Sequence, residues 1–359
     1  MKYMKRMAII PVVAAVLLLA AFTKRNNKPA ETWIVTTIAG WSDKNTTQDG
    51  VGQKACFTWE TGKSAVDGDG NLYVIDQVCL RKVDASLNVT TIQGAGAMDA
   101  EGNSLSIPPL AGRGGICVDK DNHIYLAGSD NTIYRLKSDN TAEVFAGDND
   151  YKGKDDGDRI GASFYNPTGL CMDKAGNMYV ADTYNSLVRK ISASGKVTTI
   201  AGNGQIGDFK TGTGKAAQFL EFRAIAVDSK GNIYIPQNGR GSCIAKITPA
   251  GVVTMFVGDI DALTPTGANH DATGKAARFM RINALAIDKD DNLIIGENTR
   301  VRKATPAGVV TTLAGSEEET WRDAVGAKAR FNRVNGLSID AAGSIYVSDQ
   351  YCIRKMTKQ

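Results

Sequence analysis

The chain has 359 residues, with 42 Lys and Arg against 38 Asp and Glu. Three of those cations, Lys2, Lys5 and Arg6, precede the first apolar run, so the remainder stands at 39 against 38. That near-neutral balance lacks the positive excess of a nucleic-acid-binding domain, and two histidines are too few for a histidine-built metal centre.

The basic start is followed by an uncharged apolar run over residues 8–22, with small residues at Ala21 and Thr23. This is the layout of a cleaved signal peptide over residues 1–23, with a short linker over 24–32. A run of 15 residues is shorter than the roughly 20 that a membrane span needs, so the expectation is export to the periplasm or outside, with no span retained. The first cysteine after the run is Cys56, which argues against a lipid-modified N-terminus.

From residue 33 to 359 one pattern recurs: V-T-T-I-A-G, a Gly-rich loop ending in Phe, then G-L-A-V-D-x-x-G-N-L-Y-V-A-D and V-R-K-I. The Asp that closes the first apolar run falls at Asp67, Asp119, Asp173, Asp228, Asp288 and Asp340, at spacings of 52, 54, 55, 60 and 52 residues. A period of that size marks an array of supersecondary units. Within each copy four short β-branched runs alternate with turn residues, as in GLCMD (169–173), NMYVAD (177–182), LVRKI (187–191) and VTTIAG (197–202). The first turn is Asp-x-x-Gly-Asn, with Asn122 or Asp291 where Gly is missing, residues that also tolerate a positive φ.

The expected fold is all-β: a single six-bladed β-propeller with four antiparallel strands per blade. The segment VTTIAG (35–40) matches a fourth strand, and the last copy ends on a third, so pairing of the two would close the ring and remove sheet edges. These residues resemble the NHL-repeat family, most closely in residues 167–191, PTGLCMDKAGNMYVADTYNSLVRKI. The resemblance implies the propeller fold over residues 33–356. For function it implies a choice, since relatives include binding modules, lyases and lactonases.

Acids close the second strand at Asp76, Asp182, Glu297 and Asp349, and each of those blades has an Arg in the third strand: Arg81, Arg189, Arg302 and Arg354. Where the acid is replaced, by Gly128 and Gln237, the Arg is replaced too, by Tyr134 and Ala245. Joint loss is the mark of a structural ion pair, because either partner buried alone is costly. Cys117 and Cys171 share a packing slot with Ala65, Ala226, Ala286 and Ser338, and Cys79, Cys243 and Cys352 share another, so free thiols are expected. The loop pattern Asp-x-x-Gly to Phe (49–57, 271–279, 323–331, with Ile107 after Asp99) reads as a turn whose Phe plugs the groove between blades.

Alternating strands place the long loop before the first strand and the short loop after the second on one face. Five residues before each closing Asp stand Gly62, Gly114, Thr168, Arg223, Asn283 and Asn335, the expected rim of the central channel. Glu60, Arg113, Tyr184, Arg240 and Trp321 join them as candidates on that face. The reading is an exported, monomeric, non-catalytic binding propeller for a protein, peptide or glycan, without cofactor. The alternative is a divalent-metal hydrolase or lyase resembling gluconolactonase-type propellers, with Asn283, Asn335 and Glu60 as oxygen ligands. RNA binding is disfavoured by the charge and the leader, and histidine-dependent amidating-lyase chemistry by the two histidines.

Overall fold

The computed structural model describes residues 31–41, 45–59, 61–77, 79–94, 110, 114–148, 151–262 and 270–359. The expected signal peptide, residues 24–30 of the linker, Glu60, Arg113, Asp99 and Ile107 lie outside the described residues. Residues 32–359 form one compact unit.

Six antiparallel sheets follow one another along the chain. In the third blade the strands run Pro167–Met172, Met178–Asp182, Leu187–Ile191 and Lys196–Ala201, in that spatial order. First strands of successive blades pack on one another from blade one through blade six and back to blade one, so the ring is closed around a central channel. Trp33–Gly40 completes the sixth sheet as expected, pairing antiparallel with Cys352–Lys358 in the register Val35↔Met356 and Thr37↔Arg354. The turn glycines and their stand-ins adopt the left-handed region, with φ of 81° at Gly176, 65° at Asn122 and 60° at Asp291.

Beyond the expected four strands, blades one, three, four and six carry a fifth, two-residue strand outside the fourth, such as Gly50–Val51 and Gly157–Asp158. It is contributed by the long Gly-rich loop. The same loop carries an acid whose place turn geometry alone does not explain. Asp49, Asp156, Asp271 and Asp323 reach the buried arginines Arg81, Arg189, Arg302 and Arg354 at 2.9, 2.9, 2.8 and 2.7 Å. Each arginine also pairs with its strand-ending acid, at 3.0 Å for Asp76, 2.9 Å for Asp182, 3.0 Å for Glu297 and 2.9 Å for Asp349. Its guanidinium stands 4.5–5.3 Å from the ring centroid of the loop Phe: Phe57, Phe164, Phe279 or Phe331. Burial raises all four strand-ending carboxyls above their ordinary range, against the opposing pull of the guanidinium and of hydrogen bonds.

Blade four shows how the hub is dismantled. The Gln237 side-chain oxygen accepts from the Leu220 N–H at 2.9 Å, as Asp182 accepts from Tyr165 at 2.8 Å, and Ala245 leaves no cation to balance. In blade two the Tyr134 hydroxyl donates to Asp130 instead. All six cysteines are free. Burial pushes the Cys243 thiol up to about 12, so it is inert packing at neutral pH.

Candidate functional site

The mouth of the channel on the long-loop face holds a cavity of about 340 Å³ bounded by blades one, four, five and six. Below it the channel narrows to a hollow of about 50 Å³ whose lining includes Ile116, Leu170, Ile225, Leu285 and Leu337. The inner strands approach too closely for a wider bore: a Cβ on Gly336 would meet the Gly62 carbonyl at 2.5 Å, and one on Gly115 the Leu170 nitrogen at 2.9 Å. The cavity is therefore a cup.

Of the expected rim, Gly62, Arg223, Asn283 and Asn335 line this cup. The two asparagine amides are already committed. Asn283 Nδ2 donates to the Asn298 side-chain oxygen at 2.9 Å and to the Val334 carbonyl at 3.1 Å, while Asn335 Nδ2 donates to the Thr61 carbonyl at 3.0 Å. They fasten blade five to six and six to one. Thr168, Tyr184 and Gly114 line a smaller adjoining hollow of about 190 Å³ with Arg223. Thr168 is buried, its hydroxyl paired with that of Thr183, so it offers no free group to the rim. Tyr184 packs edge-on against Tyr165. Arg240 is exposed and Trp321 packs edge-on against Tyr351 at 6.0 Å between centroids; neither lines the cup.

Three cations escaped the sequence reading. Arg281 and Arg333 lie two positions upstream of Asn283 and Asn335, the next residue on the same side of an extended strand, and both line the cup. The corresponding residue in blade four is Glu221, which forms an ion pair with Arg223. The third is Lys63. Its slot is filled by Gly115, Gly169, Ala224, Ala284 and Gly336 in the other blades, and a lysine where five blades require a small residue was the signal available.

The Lys63 ammonium donates to the carbonyls of Asn283 and of Asn335, the latter at 3.1 Å, so it ties blade one to blades five and six. Burial, with the Arg223 charge beside it, pulls its pKa down to about 8. Between that value and the ordinary 10.5 the unfolded chain holds the extra proton, so folding gains stability as pH rises through this window. Lys63→Met removes the contribution. The wild-type minus variant difference in unfolding free energy, followed by urea titration, should therefore rise from pH 8 to pH 10; a flat difference would contradict the burial of the charge.

Of the oxygen ligands in the alternative reading, Asn283 and Asn335 line the cup and Glu60 lies outside the described residues. Among the described residues the one carboxylate of the lining, Glu221, pairs with Arg223, and the main-chain carbonyls of Asn283 and Asn335 accept from the Lys63 ammonium. Three arginines nearby add repulsion. On the opposite face a groove of about 400 Å³ between blades two and three mixes Asp119, Asp121 and Asp173 with Lys120, Arg135, Arg159 and Lys174. Asp119, Asp121 and His123 cluster at its edge. There His123 Nδ1 meets Asp119 at 2.9 Å, taking the place that Asn177 Nδ2 takes on Asp173 at 2.8 Å, so the group is a variant of the repeated turn.

Comparison with known proteins bears on the fold. A model of the NHL repeat matches residues 164–191, the third blade with its loop Phe. Human (Homo sapiens) Teneurin-4 is 23% identical over 325 residues, which is 80% of this chain; the chain spans only 12% of that relative's length. An auxiliary nutrient binding protein from Bacteroides thetaiotaomicron superposes with a TM-score of 0.64 at 17% identity, covering 91% of this chain and 77% of its own. A gluconolactonase from Xanthomonas campestris superposes with a TM-score of 0.54 at 12% identity, covering 90% and 89%. No helix among the described residues is long and apolar enough to cross a membrane. The chain is a six-bladed propeller whose third blade matches the NHL repeat.

Proposed function

We propose that this protein is an exported, non-catalytic binding propeller that seats an anionic group of a protein, peptide or glycan ligand in the channel mouth. The observation that carries the reading is the convergence of Lys63, Arg223, Arg281 and Arg333, from blades one, four, five and six, on one cup. Its volume of about 340 Å³ lies in the range of small-molecule sites, roughly 300–1,000 Å³. Among the described lining residues there is no Ser, Cys or His, and the Lys63 amine is engaged by two main-chain carbonyls. Export rests on the basic and apolar start of the chain. A nutrient-binding protein among the similar structures accords with a binding role.

Retention of an array of acidic and neutral peptides and oligosaccharides on the immobilised protein tests this. Acidic members should bind and be released as salt rises from 50 to about 300 mM, because exposed charges are screened over a Debye length of ~10 Å at 0.1 M. Turnover of lactones dependent on an added divalent ion would overturn the non-catalytic reading.

A further inference from the structure

Resting on the channel mouth as the ligand site, we infer that the cup is built for a compact dianion, an organic molecule bearing two acidic groups on one apolar body. The acidic groups are held by Arg281 and Arg333, and the body lies against Trp59, Leu220 and Ile282.

Of the four cations, two are already occupied. Arg223 pairs with Glu221, and the Lys63 ammonium lies on two main-chain carbonyls. Arg281 and Arg333 differ: among the described residues neither guanidinium makes an ion pair or a side-chain hydrogen bond, although both line the cup. They hold the same register position in neighbouring blades, each two residues before a rim asparagine. The Asn283 Nδ2 to Val334 carbonyl bond of 3.1 Å binds the strand that follows Arg281 to the strand that follows Arg333. The strands that carry the two arginines are thus tied together, and both side chains line one partly enclosed cup, where repulsion between like charges is incompletely screened.

A guanidinium presents a planar fork that matches a carboxylate or phosphate, and two adjacent forks ask for two such groups. The lining also has apolar members that are in part unprotected: Trp59 is 41% exposed and Ile206 52%. That surface takes a flat or aliphatic body, whereas a bare inorganic anion would leave it wet.

Titration calorimetry on the full mature chain, at pH 7 and low salt, can use isophthalate as dianion, benzoate as monoanion and isophthalamide as neutral isostere. Isophthalate is expected to bind at least about tenfold more tightly than benzoate, the size of one charge-assisted hydrogen bond, and isophthalamide not measurably. Arg281→Gln and Arg333→Gln should each erase that selectivity, with unchanged circular dichroism and melting temperature showing that the ring is intact. Equal affinity for isophthalate and benzoate, or a double variant that keeps the selectivity, would overturn the dianion inference. If that happens while a neutral oligosaccharide still binds and Trp59→Ala abolishes its binding, the channel mouth survives as the ligand site. Absence of binding by every probe, charged and neutral, would sink both.

Discussion

Replacing Arg189 by leucine is expected to lower the unfolding free energy by about 3–5 kcal/mol, the cost of leaving a buried charge without its partner. Arg189 is fully buried and donates to Asp182, Asp156 and the carbonyls of Ser163 and Asp155. Its loss strands the Asp182 carboxyl, also buried, on the Tyr165 N–H and the Asn185 amide alone. Blade four shows what a tolerated version looks like, with Gln237 and Ala245 in the two positions. The double variant Asp182→Gln with Arg189→Ala should therefore recover more than half of the loss, since a neutral amide can still accept from Tyr165. Urea unfolding of the three proteins reads this directly. A single variant within about 1 kcal/mol of wild type would mean that the arginine is not the centre of its blade.

Deleting residues 33–40 should abolish cooperative unfolding altogether. Trp33, Val35 and Ala39 are buried in the two clusters that flank the sixth blade, with exposures of 3%, 0% and 0%. Burial of one Trp and one Val is worth several kcal/mol by itself, and the deletion also exposes the edge of Cys352–Lys358. Since a domain's total stability is about 5–15 kcal/mol, little remains. The point variant Val35→Asp tests the same joint more gently, by charging the position that faces Met356 in the ladder. A melting curve as sharp as wild type from the deletion protein would show that the ring does not depend on its terminal strand.

Legibility in the sequence followed repetition. The six blades, the acid and arginine pairs, the turn residues and the closing strand each recur or complete a recurring unit, so comparison among copies exposed them. The loop acids Asp49, Asp271 and Asp323 also recur, yet their contact with arginine depends on how the long loop folds back over its blade, which no local pattern announces. The cup was harder because function resides where the repeat is broken. Arg223, Asn283 and Asn335 were found by their slot, but the slot two residues upstream, with Arg281 and Arg333, went unread. Lys63 was the clearest break of all, a long cation among glycines and alanines. Asn283 and Asn335 look like ligands by composition, and only the geometry shows their amides spent on holding blades together. Arg240 and Trp321 sit on the long-loop side in sequence, yet neither lines the cup, whereas Trp59 and Ile206 from other long loops do.

A crystal of the mature protein soaked with an anionic ligand, such as isophthalate, decides where the ligand docks. The account predicts density in the mouth, within hydrogen-bond distance of Arg281 and Arg333 and against Trp59. Density confined to the opposite face, in the groove lined by Lys120, Arg159 and Lys174, would contradict it.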